Sequence, residues 1–455
     1  MEYMALVLFA CVCLVLLFGY PVALTLAGTS LLFAGIGVLM GGFDASYLYA
    51  LPSRLFGILT NTTLIAVPLF VFMGVLLEKS KIAEQLLNAM AQLLSGRFPA
   101  GTAVSVIIVG MLLAASTGIV GATVVTMGLL SLPTLLKRGY SPEVSTGLIC
   151  ATGTLGQIIP PSIALVLLGD VLSSAYQQAQ LNMGIFSPES VSVGDLFVGA
   201  IIPGLILVSL YVLYIVVLSF KSNSGVPKDD NEQQNVKMSA ILAALIPPLF
   251  LIVLVLGAII SGYATPTEAA GVGAMGALVL ALIKRALSRT QFMSVLIETS
   301  KITSMVFLIL IGASVFSLVF RGFGGEELIQ EYFNALPGGA IGAMLVVMLI
   351  VFLLGFILDF IEITFVVVPI VAPVLLMMGL DPVWLGIMLA VNLQTSFLTP
   401  PFGFALFYLR GVAPKSIRTA QIYRGVIPFI LIQIAVLVLL FIWPELATYL
   451  PDTIY

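Results

Sequence analysis

The chain has 455 residues, of which 60% are hydrophobic and only 9% are charged, and its formal net charge is −3. Soluble domains carry about 25% charged residues, so this composition excludes a soluble enzyme and predicts an all-α polytopic membrane protein. The sequence has no histidine, no phosphate-binding loop for ATP and only three cysteines, so zinc, haem, ATP hydrolysis and nucleic-acid binding are not expected.

Twelve apolar segments follow one another along the chain, and most of them approach the roughly 20 residues that a helix needs to cross a bilayer. The first segment lacks a basic start, so we expect a retained helix rather than a cleaved signal peptide. The segments cover residues 4–19, 21–40, 64–78, 101–136, 141–168, 196–220, 238–260, 264–283, 302–320, 339–378, 383–409 and 426–450.

Two of these segments, 101–136 and 339–378, are too long for one crossing and are predicted to be re-entrant hairpins. With two hairpins and an outside N-terminus, sixteen of the eighteen basic residues fall on the cytoplasmic side, as the positive-inside rule requires. Only Arg54 and Arg321 fall outside. The cytoplasmic set is Lys79, Lys81, Arg97, Lys137, Arg138, Lys221, Lys228, Lys237, Lys284, Arg285, Arg289, Lys301, Arg410, Lys415, Arg418 and Arg424.

The two halves of the chain carry the same landmarks. Pro400 and Pro401 follow Pro160 and Pro161 at a distance of 240 residues, and other prolines and glycines repeat with nearly the same shift. We therefore predict two repeats, 1–220 and 238–455, joined by a cytoplasmic linker at 221–237. Five crossings in each half would give the repeats opposite topology, which is typical of secondary transporters. The alternative is coincidence among residues that are common in membrane helices.

Each proline doublet lies inside an apolar segment and predicts a broken helix, over 141–168 and 383–409. A helix break exposes carbonyls that can bind a hard cation, and it is tolerated only where it is buried or lines a cavity. Small polar residues lie beside both doublets, namely Gly156, Ser162, Ser396 and Thr399. The alternative interpretation of a single doublet is a structural kink.

The middle of each predicted hairpin also carries polar residues. In the first hairpin these are Ser116 and Thr117, and in the second they are Asp359, Glu362 and Thr364. An acid inside a membrane costs about 2.5–3.5 kcal/mol on insertion scales, so it is a candidate functional residue. The alternative is that these acids, Glu362 above all, have a packing role.

The stretches "GTLGQIIPPSI", "KRGYSP", "VGDLFVGAIIPGL" and "LTPPFGFALF" resemble the large membrane subunit of tripartite ATP-independent periplasmic (TRAP) transporters, the DctM-like family. The resemblance covers nearly the whole chain. It implies sodium-coupled import of a small organic acid across the bacterial inner membrane by an elevator mechanism. It also implies two protein partners, a small four-helix membrane subunit (Q type) and a periplasmic substrate-binding protein (P type), besides membrane lipid.

The resemblance also implies site residues. One sodium site would use Ser116 and Thr117 with carbonyls of the first break, and a second would use the second break with its own hairpin. Substrate would bind between them, and no cofactor besides Na⁺ is expected. The implied sodium ligands are Ser116, Thr117, Gly156, Ile159, Pro161, Ser396, Thr399 and Pro401. The implied substrate residues are Thr117, Ser162, Asp359, Glu362 and Thr364.

Two features depart from the family pattern. Many members have Ser-Gly-Ser at the first tip, whereas this chain has Thr117-Gly118-Ile119, which puts Ile119 in doubt as a ligand. Segment 171–193 is longer than in many members and is interpreted as an outward insertion that could contact a partner. Two other functions remain open, a standalone sodium/di-anion symporter without a binding protein, and a channel or purely structural subunit.

Overall fold

A computed structural model describes residues 3–80, 82–94, 98–221, 225–227 and 238–454, and the regular structure in these ranges is helical. This confirms the predicted all-α fold. Most of the predicted linker 221–237 lies outside the described residues, as do Lys81 and Arg97. The helices are α1 Met4–Leu16, α2 Val22–Leu39, α3 Leu51–Thr60, α4 Ala66–Lys79, α5 Ile82–Leu94, α6 Gly101–Thr117, α7 Val120–Lys137, α8 Pro142–Gly153, α9 Ile163–Asn182, α10 Val193–Phe220, α11 Met238–Ile260, α12 Pro266–Ile283, α13 Arg289–Gly322, α14 Gly325–Ala335, α15 Gly339–Leu354, α16 Phe360–Val366, α17 Val368–Met377, α18 Pro382–Leu398, α19 Phe404–Val412, α20 Thr419–Ile442 and α21 Glu445–Ile454.

Among the described residues, six helices are long and apolar enough to cross a membrane, or up to nine spans if each bent pair of helices counts as one. Large apolar residues on these helices, such as Leu39 and Phe220, are exposed, as expected for side chains in contact with lipid. These helices confirm a polytopic membrane protein. The six are α2, α7, α10, α12, α13 and α20.

Three short helices were not among the predicted segments, namely α3, α5 and α14, and the predicted segment 426–450 is divided between α20 and the separate short helix α21. The three missed helices carry charged residues, such as Glu84 in α5 and Glu326 in α14. A search for continuous apolar runs therefore passes over them, because an amphipathic helix needs only one apolar face.

Helix α9 continues to Asn182, well past the expected end of the segment at 168, and it includes the first half of the predicted insertion. Leu172, Ala175 and Ala179 are all buried, at a spacing that keeps one helix face toward the protein. The chain then returns along the helix, where the Glu189 N–H donates to Gln180 Oε1 at 2.9 Å. The segment is thus a helical extension with a fixed return loop.

The chain forms two compact units, and each unit contains parts of both sequence halves. The first comprises Met1–Ile65, Leu167–Ser192 and Lys301–Gly386, and aromatic residues contribute to its core, with the rings of Phe43 and Phe323 4.9 Å apart. The second comprises Ala66–Val166, Val193–Ser300 and Ile387–Tyr455. The sequence halves therefore do not correspond to separate compact bodies.

Glycine allows very close helix packing in the second unit. Helices α8 and α20 meet where a Cβ added at Gly147 would overlap the carbonyl of Gly425, and one added at Gly425 would overlap the carbonyl of Glu143. Backbone contacts at this separation exclude any side chain, as in membrane-helix interfaces made of small residues. This crossing fixes the helix that leads into the first proline doublet.

We expect Gly147→Ala to lower the midpoint temperature of thermal unfolding of the purified protein by several degrees. Overpacking of a dense interface costs about 1–3 kcal/mol, and the overlapping atom here is backbone that cannot rotate away. The matched control is Gly411→Ala, because a Cβ at Gly411 meets no atom within 4 Å. Equal melting temperatures for the two variants would contradict the close crossing.

Candidate functional site

The first proline doublet lies in a helix break between α8 and α9. A 3₁₀ turn, Thr154–Gln157, follows α8, and regular structure resumes at Ile163. The amides of Ile158 and Ile159 both bond to the carbonyl of Leu155, which closes the turn. The Pro160–Pro161 peptide bond is cis. Residues 158–162 thus form the irregular segment that the doublet predicts.

The break contains both engaged and uncommitted carbonyls. Ser162 is fully buried and its hydroxyl donates to the Gly156 carbonyl at 2.6 Å. The carbonyls of Ile159 and Pro161 accept no hydrogen bond from the described residues. A buried carbonyl without a donor is costly, and in membrane transporters unwound carbonyls of this kind coordinate cations. The break can therefore supply two strong oxygen ligands.

The tip between α6 and α7 packs directly on this break. Gly118 ends α6 with φ +61°, and its position would place a Cβ 2.9 Å from the backbone nitrogen of Ile163. Gly156 approaches the same helix, because its Cβ would lie 3.2 Å from the Ala114 carbonyl oxygen. The contact at Gly118 requires glycine and the one at Gly156 favours it, and the two bring the tip and the break together within one compact unit.

The predicted ligands Ser116 and Thr117 are the last two residues of α6. Their side chains lie outside the described part of the structure. Ile119, the third tip position, has extended backbone and begins the turn into α7. Its side chain is apolar, so any ligand there would have to be a backbone group.

Sequence reasoning missed a buried amide in this break. Gln157 is 1% exposed, and neither its Oε1 nor its Nε2 has a hydrogen-bond partner among the described residues. It belongs to the same 3₁₀ turn as Thr154, where side chains three residues apart lie on one face. The sequence feature that could have identified Gln157 is its position, three residues before a proline doublet in an otherwise mostly apolar stretch.

A second buried amide contacts the same turn. Gln394 Nε2 donates to Thr154 Oγ1 at 3.4 Å, while Gln394 Oε1 has no partner in the part of the chain that the structure describes. Gln394 precedes the second doublet in α18, and Thr154 lies 240 residues earlier in the chain. Residues related by the predicted repeat shift thus touch each other beside the first break.

The second doublet is more exposed than the first. Pro401 is exposed and its carbonyl accepts the Tyr423 hydroxyl at 3.2 Å. The Thr399 hydroxyl donates back to the Thr395 carbonyl at 2.7 Å, within its own helix, whereas Ser396 is fully buried. The Pro400–Pro401 bond is also cis. Each doublet therefore interrupts a helix, but the polar groups beside the two doublets contact different partners.

The acids of the second hairpin form a helix cap. Asp359 precedes α16, and its Oδ1 accepts from the Phe360 N–H at 2.7 Å. Glu362 Oε2 in turn accepts from the Asp359 N–H at 2.9 Å, completing a capping box. This local bonding supports the packing alternative for Glu362. Thr364 is fully buried, and within the described ranges its hydroxyl has no hydrogen-bond partner.

The implied site residues therefore fall into two groups. Ser116, Thr117, Gly156, Ile159, Pro161, Ser162, Ser396, Thr399 and Pro401 belong to one compact unit. Asp359, Glu362 and Thr364 belong to the other. Within the first group, the structure brings the tip of α6 and the first break into contact. No group of three or more metal-ligating side chains occurs among the described residues, so cation ligands would come chiefly from carbonyls, hydroxyls and amides.

Comparison with known proteins gives a consistent result. Residues 9–446 match the family model described as the tripartite ATP-independent periplasmic transporter, DctM component. The chain is 29% identical to the C4-dicarboxylate TRAP transporter large permease protein DctM of Vibrio cholerae, covering 98% of this chain and 96% of that protein. It is 29% identical to the sialic acid large permease SiaM of the same species, covering 93% and 94%.

Two further relatives extend the comparison. The ectoine large permease TeaC of Halomonas elongata is 28% identical, with 96% of each chain covered. Among solved structures, the YdaH transporter of Alcanivorax borkumensis has a TM-score of 0.65 and 14% identity, covering 96% of this chain and 98% of that one. This last similarity concerns the fold alone.

We expect Gln157→Met to raise the midpoint temperature of thermal unfolding in sodium-free potassium buffer. A buried polar group without a partner costs about 1–3 kcal/mol, and methionine fills a similar volume without that cost. Gln433→Met is the matched control. Gln433 Nε2 donates to the buried Tyr211 hydroxyl at 2.8 Å, whereas its Oε1, like both Gln157 atoms, has no partner among the described residues. Gln433→Met therefore also removes a hydrogen bond, and its midpoint should be lower than that of Gln157→Met. A lower midpoint for Gln157→Met would show that the amide is paired in the protein.

Proposed function

The chain belongs to the family of the DctM component of tripartite ATP-independent periplasmic transporters, and we propose that it couples import of a small organic acid to sodium. Members of this family are transporters rather than enzymes, so the chain is a large permease subunit for secondary transport. Its apolar helices place it in the bacterial inner membrane as a multi-pass protein.

The family acts together with a periplasmic binding protein and a small membrane subunit. For this chain we expect a four-helix subunit of the Q type and a soluble protein of the P type. Relatives of nearly equal identity are named for C4-dicarboxylates, sialic acid and ectoine. Sequence identity therefore does not separate these substrates, although all are small organic acids or zwitterions.

The observation that carries the sodium proposal is the first break and the tip that packs on it. The carbonyls of Ile159 and Pro161 are uncommitted among the described residues, and Gly118 holds the tip against the start of α9. A sodium ion bound there would take these carbonyls, that of Gly156, and hydroxyls of Ser116 and Thr117. Hairpin tips facing broken helices are where secondary transporters bind coupling ions.

A second sodium site is proposed at the other doublet, with Ser396, Thr399 and the carbonyl of Pro401. The Thr399 and Pro401 oxygens already take part in one hydrogen bond each. An oxygen has further lone pairs for a cation, so these bonds position the ligands without using them up.

Substrate would bind between the two cation sites, near Thr117, Ser162, Asp359, Glu362 and Thr364. Within its own compact unit, Thr364 has a buried hydroxyl that is without a partner among the described residues and could bond to a ligand. The capping box holds Asp359 and Glu362 in fixed positions and leaves further acceptor capacity on both carboxylates. In the proposed mechanism the hairpins and broken helices move together across the membrane as an elevator, carrying ions and substrate.

The decisive experiment is uptake into proteoliposomes that contain this chain and its small partner, with the binding protein outside. Succinate, N-acetylneuraminate and ectoine are compared under an inward gradient of sodium or potassium. Uptake that requires both sodium and the binding protein supports the proposal. Sodium-driven uptake without the binding protein indicates the standalone symporter, and uptake driven equally by protons contradicts the cation sites.

We expect Gly118→Ala to abolish most sodium-driven uptake while the protein still folds and inserts. A side chain at this positive φ is strained and would collide with the Ile163 backbone, which forces the tip away from the break. Gly262→Ala serves as the matched control, because Gly262 has φ +72° but no atom within 4 Å of the added Cβ. Equal uptake by both variants would show that the close approach of tip and break is dispensable.

A further inference from the structure

The two basic residues that break the predicted charge sorting line the same cavity. Arg54 of α3 and Arg321 of α13 lie in the wall of a cavity of about 390 Å³ within the first compact unit. Volumes of about 300–1,000 Å³ are typical of small-molecule sites. Both side chains remain partly exposed, so the cavity is open to solvent. The two basic residues that the sequence analysis places outside are therefore neighbours in the wall of one cavity.

Where Arg54 and Arg321 line the cavity, the positive charges of the two arginines exceed the negative charge of the nearby Glu326. Arg321 bonds through Nε, at 2.8 Å, and Nη2 to the same oxygen of Glu326. Arg54 lies within Coulombic range of Arg321 and Glu326 but makes no hydrogen bond or ion pair with a described residue. Two guanidinium groups therefore share one carboxylate. An anion bound between them would relieve their repulsion and fill the free donors of Arg54.

A different part of the cavity carries an acceptor. Asp170 of α9 lines it, and Asp170 Oδ1 accepts from Asn61 Nδ2 at 2.9 Å. No ion pair joins Asp170 to either arginine in the described part of the chain. The Asn61 side chain is itself held by the Thr63 N–H, which donates to Asn61 Oδ1 at 2.9 Å. The carboxylate is therefore fixed and keeps a second oxygen for a donor.

From these observations we infer that the cavity is a second binding site, for a small organic acid with one anionic group. The carboxylate or sulfonate would pair with Arg54 and Arg321, and a hydroxyl or ammonium group would donate to Asp170. A second anionic group would meet Asp170 and be repelled. Ser314 and Ser317, one helical turn apart on α13, line the wall with hydroxyls.

This site is distinct from the proposed transport site. None of the sodium or substrate residues named above lines the cavity. Its two arginines are also the only basic residues that the charge sorting assigns to the outside. Resting on the proposed function, the cavity would receive the acid released by the binding protein before it reaches the hairpin tips. The binding itself does not depend on sodium or on transport.

The test uses a thiol reporter inside the cavity. Ser317→Cys is introduced into the full chain, which is reconstituted with its small partner. The rates of reaction with anionic methanethiosulfonate ethylsulfonate and cationic methanethiosulfonate ethyltrimethylammonium are then compared. The unsubstituted chain gives the background from Cys11, Cys13 and Cys150. We expect the anionic reagent to be favoured roughly tenfold, because the local potential concentrates anions.

The charge variants decide the origin of that preference. Adding Arg54→Gln should reduce the preference for the anionic reagent severalfold, whereas Arg54→Lys should largely keep it. A retained preference in Arg54→Lys would also show that the fold tolerates substitution at this position. The matched control is Lys301→Gln, which removes an exposed positive charge from the same helix as Arg321, about 30 Å along it. An unchanged preference in Arg54→Gln, or an equal loss in Lys301→Gln, would overturn the inference.

The class of ligand is determined by measuring how far each candidate ligand slows the labelling of the Ser317→Cys thiol. D-Glycerate and β-alanine, each with one carboxylate and a donor, should slow the reaction with a neutral reagent, and erythritol should not. Protection by succinate as strong as that by D-glycerate would refute the role of Asp170. Labelling needs neither a sodium gradient nor the binding protein. If the charge preference and the ligand protection are observed but sodium-driven uptake is not, the result would contradict the proposed function and not the second binding site.

Discussion

The need to satisfy backbone polar groups inside hydrocarbon governs this structure more than any other constraint. The first proline doublet lies in the irregular segment between α8 and α9, where carbonyls are freed that lipid cannot bond, so the break must be enclosed by protein. Glycines make that enclosure possible: Gly156 approaches Ala114, Gly204 leaves room for Ile159, and Gly118 presses on Ile163. Ser162 then bonds the Gly156 carbonyl. What remains uncommitted in the described residues, at Ile159 and Pro161, is a pair of oxygens in a protected position.

The helical fold and the positions of the breaks could be predicted from the sequence because both arise from local chemistry. Long apolar runs require helices, and proline doublets interrupt them. Helix α18 ends at Leu398, two residues before the second doublet, whereas α8 ends at Gly153 and its 3₁₀ continuation at Gln157, three residues before the first. The short helices α5 and α14 were missed because polar residues interrupt their apolar runs, mainly amides in α5 and acids in α14. The composition of the compact units was also out of reach, since Lys301–Gly386 joins the first unit through packing that no local pattern encodes.

The candidate site was only partly predictable, for a related reason. The doublets mark where carbonyls become free, but not which of them a neighbour will use. The Ser162 hydroxyl engages Gly156, and the Tyr423 hydroxyl engages Pro401, and both bonds depend on tertiary geometry. The spacing of Asp359 and Glu362 is that of a capping box and could have been recognised from the sequence. Both acids were instead interpreted as functional, because acids are rare inside membranes. Gln157 was visible in the sequence, yet its burial without a partner was not.

Charge balance connects the two proposed sites. A site that crosses the membrane with a fixed charge works against the membrane potential, about 2.3 kcal/mol per charge per 100 mV. The first break offers neutral carbonyls, hydroxyls and an amide, so a sodium ion and an organic anion bound together there can compensate each other. Asp359 and Glu362 lie in the other compact unit, where each carboxylate already accepts a backbone N–H in the capping box. Permanent positive charge would upset this balance, and Arg54 and Arg321 lie instead in a separate, solvent-open cavity. There they can attract an acid without having to travel with it.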